Sequence, residues 1–273
     1  MTPPTEVLSV PRPGAVLAGE RRGRSGPVVI MLHEGVADRR SWRAVAETVA
    51  ERAVAVSYDR RGFGETAPST DDFSHVDDLL AVADALGGDP VVLAGTSAGA
   101  GVALDAAIVA PGRVAGLLLL SPAVSGAPQP SLDADTARFD RLLDEAAAAG
   151  DLDEVNRLET WLWLDGPRQP EGRVGGESRA LALEMNGIAL RNGVPEGAGR
   201  SGVDAWNRLG EVGIPATVAC GDLDVPFLLE RSEELARRLP NAVHRILPGV
   251  AHLSELEQPA TVAALLEELL GRI

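Results

Sequence analysis

Five stretches of the chain are apolar at nearly every position: 28–32, 54–58, 91–94, 114–120 and 216–220. Runs so short, and without polar alternation, are the pattern of strands buried on both faces. A sixth, 243–247, keeps the same spacing. Between them lie segments with helical periodicity, at 41–52, 76–86, 98–110, 228–239 and 261–270. On the 76–86 segment Asp77, Asp78 and Asp84 are expected on the solvent side. Apolar strands alternating with helices predict an α/β fold, a mostly parallel sheet with helices on both faces. Ahead of the first run, 7–10 and 15–21 read as a hairpin around Pro11-Arg12-Pro13-Gly14.

The rhythm breaks after Ser121-Pro122. Residues 123–205 hold helix-like pieces at 134–149, 152–164 and 179–191, separated by Gly/Pro loops, and no convincing strand. Strand–helix alternation then resumes. A helical cap inserted into an α/β core accounts for this, with 1–122 and 206–273 as the two parts of the core and 123–205 as the cap.

Composition narrows the chemistry. A length of 273 residues with 45% apolar content suits one large domain, or a domain carrying an insertion. Aromatics contribute only 3%, so the core rests on Ala, Val and Leu. The net charge of −15 argues against nucleic acid or an anionic membrane as partner. Every basic residue is an arginine, which excludes Schiff-base, PLP and P-loop lysine chemistry. Cys220, the single cysteine, lies in an apolar run, so the thiol reads as packing. Residues 1–6 carry no basic stretch ahead of an apolar one, and the apolar stretch around 117–120 is too short to span a bilayer. A cytoplasmic protein acting on a small molecule is therefore expected, with no membrane partner.

One turn draws the chemistry together. Gly95-Thr96-Ser97-Ala98-Gly99 stands between the 91–94 strand and the helix that follows. A serine on so sharp a strand-to-helix turn occupies a strained backbone position with its oxygen exposed. The two glycines leave room for strand and helix to pass close together. The helix start aims free N–H groups at whatever binds there, favouring an oxyanion. A serine hydroxyl needs a base, a group that orients the base, and donors for the developing oxyanion. Of the histidines, His75 begins a helix and His244 lies within a strand, and each reads as structural or exposed. His252 follows the 243–247 strand in the loop Pro248-Gly249-Val250-Ala251, at a strand's C-terminal end where open α/β sheets place their sites. The orienting acid comes from Gly221-Asp222-Leu223-Asp224, which offers Asp222 and Asp224.

With Leu32-His33-Glu34-Gly35 running to Trp42, and Asp59-Arg60-Arg61-Gly62-Phe63-Gly64, these motifs complete an ordered set. The chain resembles the α/β-hydrolase superfamily over essentially its whole length, most nearly its lid-bearing esterase and enol-lactonase-like branch. Trp163-Leu164-Asp165-Gly166-Pro167 belongs to that resemblance. The resemblance implies Ser97 as nucleophile, His252 as general base and then acid, and Asp224 rather than Asp222 as the orienting acid. It also implies backbone N–H groups of Gly35 and Ala98 as oxyanion donors. Where the family has a small residue after the histidine, this chain has Glu34. A carboxylate beside an oxyanion hole would oppose the charge being stabilised unless it turns away or is protonated. Glu34 is expected to point toward the cap or solvent, paired with Arg39, Arg40 or an arginine of the insertion.

Rival readings are weaker. Gly62-Phe63-Gly64-Glu65-Thr66-Ala67 matches a dinucleotide fingerprint, but Pro68-Ser69-Thr70-Asp71 follows where a helix should open. No spacing suggests a metal site, and no cofactor is implied. Trp161, Trp163 and Met185 are candidates for an acyl pocket, or for packing within the cap. The function expected is hydrolysis of a carboxylic ester or lactone through an acyl-enzyme on Ser97. The alternatives are a carbon–carbon bond hydrolase, a lyase or a non-catalytic ligand-binding protein on the same fold.

Overall fold

The computed structural model describes residues 5–69, 72–88, 90–194 and 198–273. Residues 1–4, on which the reading of the N-terminus partly rests, lie outside them, as do Thr70 and Asp71 of the segment after Gly64. The apolar runs form the centre of an eight-stranded sheet. Its strands are β1 (Glu6–Arg12), β2 (Ala15–Arg22), β3 (Val28–Leu32), β4 (Val54–Tyr58), β5 (Val91–Thr96), β6 (Val114–Leu120), β7 (Ala216–Gly221) and β8 (Ala242–Leu247). They are ordered β1-β2-β4-β3-β5-β6-β7-β8. Every residue of β4, β5 and β7 is buried, as unalternating apolar runs require. From β4 to β8 all neighbours are parallel, while β1 and β2 add an antiparallel edge. The hairpin turns at Pro13-Gly14, tighter than expected, because Pro11 and Arg12 still pair with Val16 and Ala15.

Helices cover both faces. They are α1 (Arg43–Val49), α2 (His75–Ala85), α3 (Ala98–Val109), α4 (Ala134–Ala148), α5 (Leu152–Thr160), α6 (Gly176–Asn192), α7 (Ala205–Arg208), α8 (Pro226–Arg238), α9 (Ser254–Glu257) and α10 (Pro259–Leu270). Alternation along β3 shows how the faces divide. Ile30 and Leu32 pack with Leu79 of α2, Leu104 of α3 and Leu235 of α8. Val29 and Met31 pack with Val45 and Val49 of α1 and Leu266 of α10. Alanines at 100, 103, 106 and 107 bring α3 close to the sheet, which suits a chain poor in aromatics.

Between β6 and β7 the described residues form helices and loops only. Phe139, Val155, Leu158 and Leu162 of this segment share a cluster with Cys220, Val225 and Leu228. The expected 152–164 helix ends its α-helical part at Thr160 and continues as a π-helical turn, Trp161–Asp165. One expectation for α2 is corrected. Asp78 is buried rather than wet, because Arg61 grips it through Nε at 2.7 Å and Nη2 at 2.9 Å, and Arg12 adds a bond at 2.9 Å. Gly62 and Gly64 form turns and open no helix; the next helix among the described residues is α2.

Candidate active site

β3, β5, β7 and β8 point the same way, so the segments that leave them gather on one edge of the sheet. The strand order reverses between β3 and β5, since the chain leaves β3 for β4 on one side and returns to β5 on the other. Ligands of open α/β sheets bind in the crevice at such a point. His33-Glu34-Gly35 leaves β3 there and Ser97 leaves β5.

Ser97 holds φ 52° and ψ −115°, a conformation costly for a residue with a side chain. Its surroundings enforce it. The Ser97 N–H donates to Leu120 O at 2.9 Å, and its carbonyl accepts from Gly101 at 3.0 Å and Ala123 at 3.1 Å. A Cβ on Gly95 would stand 2.5 Å from the Gly99 backbone, and one on Gly99 would stand 2.3 Å from Leu32 O. Ser97 stays partly exposed, and its hydroxyl makes no hydrogen bond among the described residues. Ala98 is the first residue of α3, so its N–H has no acceptor within the helix.

A second N–H is set by the loop after β3. His33 Nδ1–H donates to Glu34 O at 2.7 Å, because Nε2 accepts the Arg60 N–H at 3.1 Å. Burial, with the Arg60 guanidinium nearby, holds this imidazole well below its usual pKa and therefore neutral. Arg60 Nη2 donates to the same Glu34 oxygen at 2.9 Å. No cis peptide occurs among the described residues, and in a trans peptide the N–H points away from the C=O. Anchoring the Glu34 carbonyl thus turns the Gly35 N–H the opposite way. Gly35 and Ala98 both line a cavity of about 990 Å³, which lies between the sheet edge and the helical segment.

Of the two candidate acids, the structure pairs His252 with Asp224. His252 Nδ1 lies 2.8 Å from Asp224 Oδ2, and Asp224 Oδ1 accepts the Val225 N–H at 2.7 Å. Both side chains are nearly inaccessible, at 4% and 1%. Asp222 is exposed and takes the Gly249 N–H at 2.7 Å, bracing the loop that carries the histidine. Burial and the neighbouring Asp224 carboxylate push the Cys220 thiol up, so it stays protonated. His244 lies in β8 at the far edge of the sheet.

The pocket candidates divide. Trp163 meets the histidine, with ring centres 4.6 Å apart, and its carbonyl accepts the His252 N–H at 3.1 Å. Trp161 packs edge-on against Phe139 at 5.1 Å and donates Nε1–H to Gln169 O at 2.9 Å. None of Glu34, Trp161, Trp163 and the buried Met185 lines the cavity, and Ser97 and His252 lie behind its wall, beside Ala98. The expectation for Glu34 is corrected. Its side chain is fully buried rather than turned to solvent, and among the described residues no donor reaches either oxygen. Arg39 is engaged by Asp59 and Arg40 by Asp38 and Glu184. What faces Glu34 is the carboxyl of Glu255 on α9. Burial and that like group raise the Glu34 pKa well above the ordinary carboxyl value. Two facing carboxyls attract only when one carries a proton. Glu255 in turn accepts the Thr96 hydroxyl at 2.8 Å, so the pair joins the loop after β3, the residue before Ser97 and the helix after His252.

Sequence reasoning missed that pair, and also Arg173. This arginine reaches Glu257 at 2.6 Å, Leu164 O and Asp165 O at 2.7 Å, and Gly249 O at 3.1 Å. It ties the helical segment to the histidine loop. Glu257 also accepts the Ala251 N–H at 2.7 Å, and burial pushes its carboxyl up to about 7. Among the described residues no group of His, Cys, Asp and Glu is placed to hold a metal ion, and no helix is long and apolar enough to cross a membrane.

A family model described as alpha/beta hydrolase family matches residues 29–265. A Bacillus subtilis (strain 168) protein, provisionally named a 2-succinyl-6-hydroxy-2,4-cyclohexadiene-1-carboxylate synthase, is 27% identical over 257 residues, which cover 90% of each chain. A thermophilic esterase from Thermogutta terrifontis superposes with a TM-score of 0.73 at 24% identity, over 97% of this chain and 98% of that one. The enol-lactonase of Burkholderia xenovorans LB400 superposes with a TM-score of 0.75 at 17% identity, over 97% of this chain and 100% of that one.

Proposed function

The chain belongs to the alpha/beta hydrolase family, and from that premise we propose that it cleaves a carboxylic ester or lactone through an acyl-enzyme on Ser97. The observation that carries this reading is the strained Ser97 turn on the same sheet edge as the buried His252–Asp224 pair. In the reaction, His252 Nε2 takes the hydroxyl proton as Ser97 Oγ attacks the carbonyl carbon. Asp224 accepts from Nδ1–H, holding the required tautomer and stabilising the imidazolium. The developing oxyanion takes the N–H groups of Ala98 and Gly35. Collapse expels the alcohol, protonated by His252. Water, deprotonated by the same nitrogen, then attacks the acyl carbon, and His252 returns that proton to Ser97 Oγ as the acyl–oxygen bond breaks and the carboxylic acid leaves. A free serine hydroxyl in the unliganded state is no obstacle, since such bonds tighten when substrate binds. The helical segment 123–205 serves as the cap over the cavity.

The test is turnover of p-nitrophenyl esters of graded acyl length, with a set of lactones, by the unaltered protein and by Ser97→Ala. Turnover that falls on the order of 10⁴-fold in the variant supports the reading. Equal turnover by both proteins, or none by the unaltered protein on any member, contradicts it.

A further inference from the structure

Asp59-Arg60-Arg61-Gly62 carries two adjacent arginines with opposite fates. Arg61 grips Asp78, as described. Arg60 is 5% exposed and forms no ion pair among the described residues. Its Nη2 goes to the Glu34 carbonyl, its guanidinium lies 4.6 Å over the Phe63 ring, and its Nε has no acceptor among the described residues. Arg60, Phe63 and His75 stand together on the cavity wall with Gly35 and Ala98. His75 is also buried, and its Nδ1 likewise has no partner among the described residues. The acids on that wall make no ion pair with Arg60 among the described residues. Asp105 accepts from Ser125 and Ser201, Glu159 from Asn186, and Asp204 from Asn207. Asp59, next to Arg60 in the chain, pairs with Arg39, and Glu34, the carboxyl whose field reaches Arg60, is kept toward neutrality by burial and Glu255.

Burying a cation without a counter-charge costs several kcal/mol. The strain registers in Arg60 itself, whose pKa burial draws down to about 10. Such a group is retained where an anion comes to meet it. We propose that the cavity binds substrates bearing a carboxylate, held by Arg60 with a neutral His75 beside it. This rests on the ester or lactone hydrolase reading for the position of the reacting carbonyl. It adds the chemical class of the substrate. The geometry also limits its length. Arg60 Nη2 and the Gly35 N–H address opposite ends of one peptide unit, which puts them within ~5 Å of each other. Facing away from each other, and with a hydrogen bond of ~3 Å added at each end, they set the carboxylate within about 10 Å of the reacting carbonyl oxygen, the reach of hemiesters of short dicarboxylic acids rather than of a long acyl chain. Buried apart from bulk water, the guanidinium–carboxylate contact is screened little by salt.

Isosteric pairs test this. Succinyl, glutaryl and adipoyl p-nitrophenyl hemiesters, each with a free carboxylate, are compared with their methyl-capped neutral counterparts. For at least one chain length the unaltered protein should favour the free acid by tenfold or more in kcat/KM. Arg60→Met should abolish that preference and Arg60→Lys should keep part of it. An equal or inverted preference at every length in the unaltered protein overturns the carboxylate site, while turnover of both esters leaves the hydrolase reading standing. Binding gives a readout free of chemistry. With Ser97→Ala, calorimetric titration should show monomethyl glutarate or monomethyl succinate binding at least tenfold more tightly than its dimethyl ester. No such difference overturns the site even if the protein hydrolyses nothing. A difference that persists without hydrolysis keeps the site and rejects the hydrolase reading alone.

Discussion

At the scale of single residues, position in sequence locates a side chain at a strand end but does not say which neighbour it meets. Asp222 and Asp224 both follow β7, two residues apart, and spacing alone leaves either as the acid. The structure gives one to Gly249 N–H and the other to His252. Asp224→Asn should lower kcat on the order of 10⁴-fold, since an amide can hold the wrong imidazole tautomer. Asp222→Asn should cost less than about fivefold, because it loses one exposed loop contact of about 1 kcal/mol. Comparable losses would return the role to Asp222. Glu34 was legible as an oddity, but its partner was not: Glu255 lies on the far side of the sequence and meets it only through the fold. The native pKa of Glu34 lies above its ordinary value, so the folded state holds the proton more tightly than the unfolded chain. The stability this contributes is complete below about pH 4.5, the unfolded value, and is lost as pH rises through the raised native one. Glu34→Gln, which cannot ionise, should lack that alkaline loss. Thermal melts from pH 5 to 9 should show the unaltered protein falling more steeply than the variant, whereas parallel curves would mean that Glu34 does not carry the proton.

At the scale of elements, what could be read was the buried strand and the helix that repeats against it. β3, β4 and β6 occupy the stretches their apolar runs mark, and the helices start within a few residues of expectation. Helix faces were harder. Asp78 reads as solvent-facing until Arg61, from a loop after another strand, supplies its counter-charge. Loops were hardest, because they are held by long-range polar contacts with no periodic trace. Arg173 is the example: its four acceptors lie in the 164–165 turn, the histidine loop and α9. Arg173→Ala should destabilise the protein by about 3 kcal/mol, leaving buried Glu257 with one donor fewer. It should also lower kcat more than it raises KM, since it frees the loop that positions His252. A loss of stability with kcat unchanged would restrict Arg173 to a structural tie. The elbow gives a sharper element-level case. Gly99→Ala would drive a methyl to 2.3 Å from Leu32 O, between two buried elements that cannot separate, so soluble protein should be lost or its activity abolished.

At the scale of the whole molecule, the shared direction of the parallel strands and the reversal between β3 and β5 serve one use: all the residues proposed for chemistry leave strands at the same edge. The interrupted rhythm of 123–205 suggests an insertion, but says nothing of how closely helices α4, α5 and α6 are joined to the rest. Phe139 and Leu158 share their cluster with Cys220 and Leu228, so this stretch has no separate core. Calorimetry should therefore record one unfolding transition with equal calorimetric and van't Hoff enthalpies. Two resolved transitions would show the helical stretch to be an independent unit. The central claim remains that Ser97 is a nucleophile activated by His252, and covalent trapping addresses it most directly. Incubation with a fluorophosphonate, followed by peptide mass mapping, should place one phosphonyl adduct on Ser97, with labelling lost in Ser97→Ala and slowed at least a hundredfold in folded His252→Ala. An intact protein that takes up no label, or takes it up on another residue, would contradict the account.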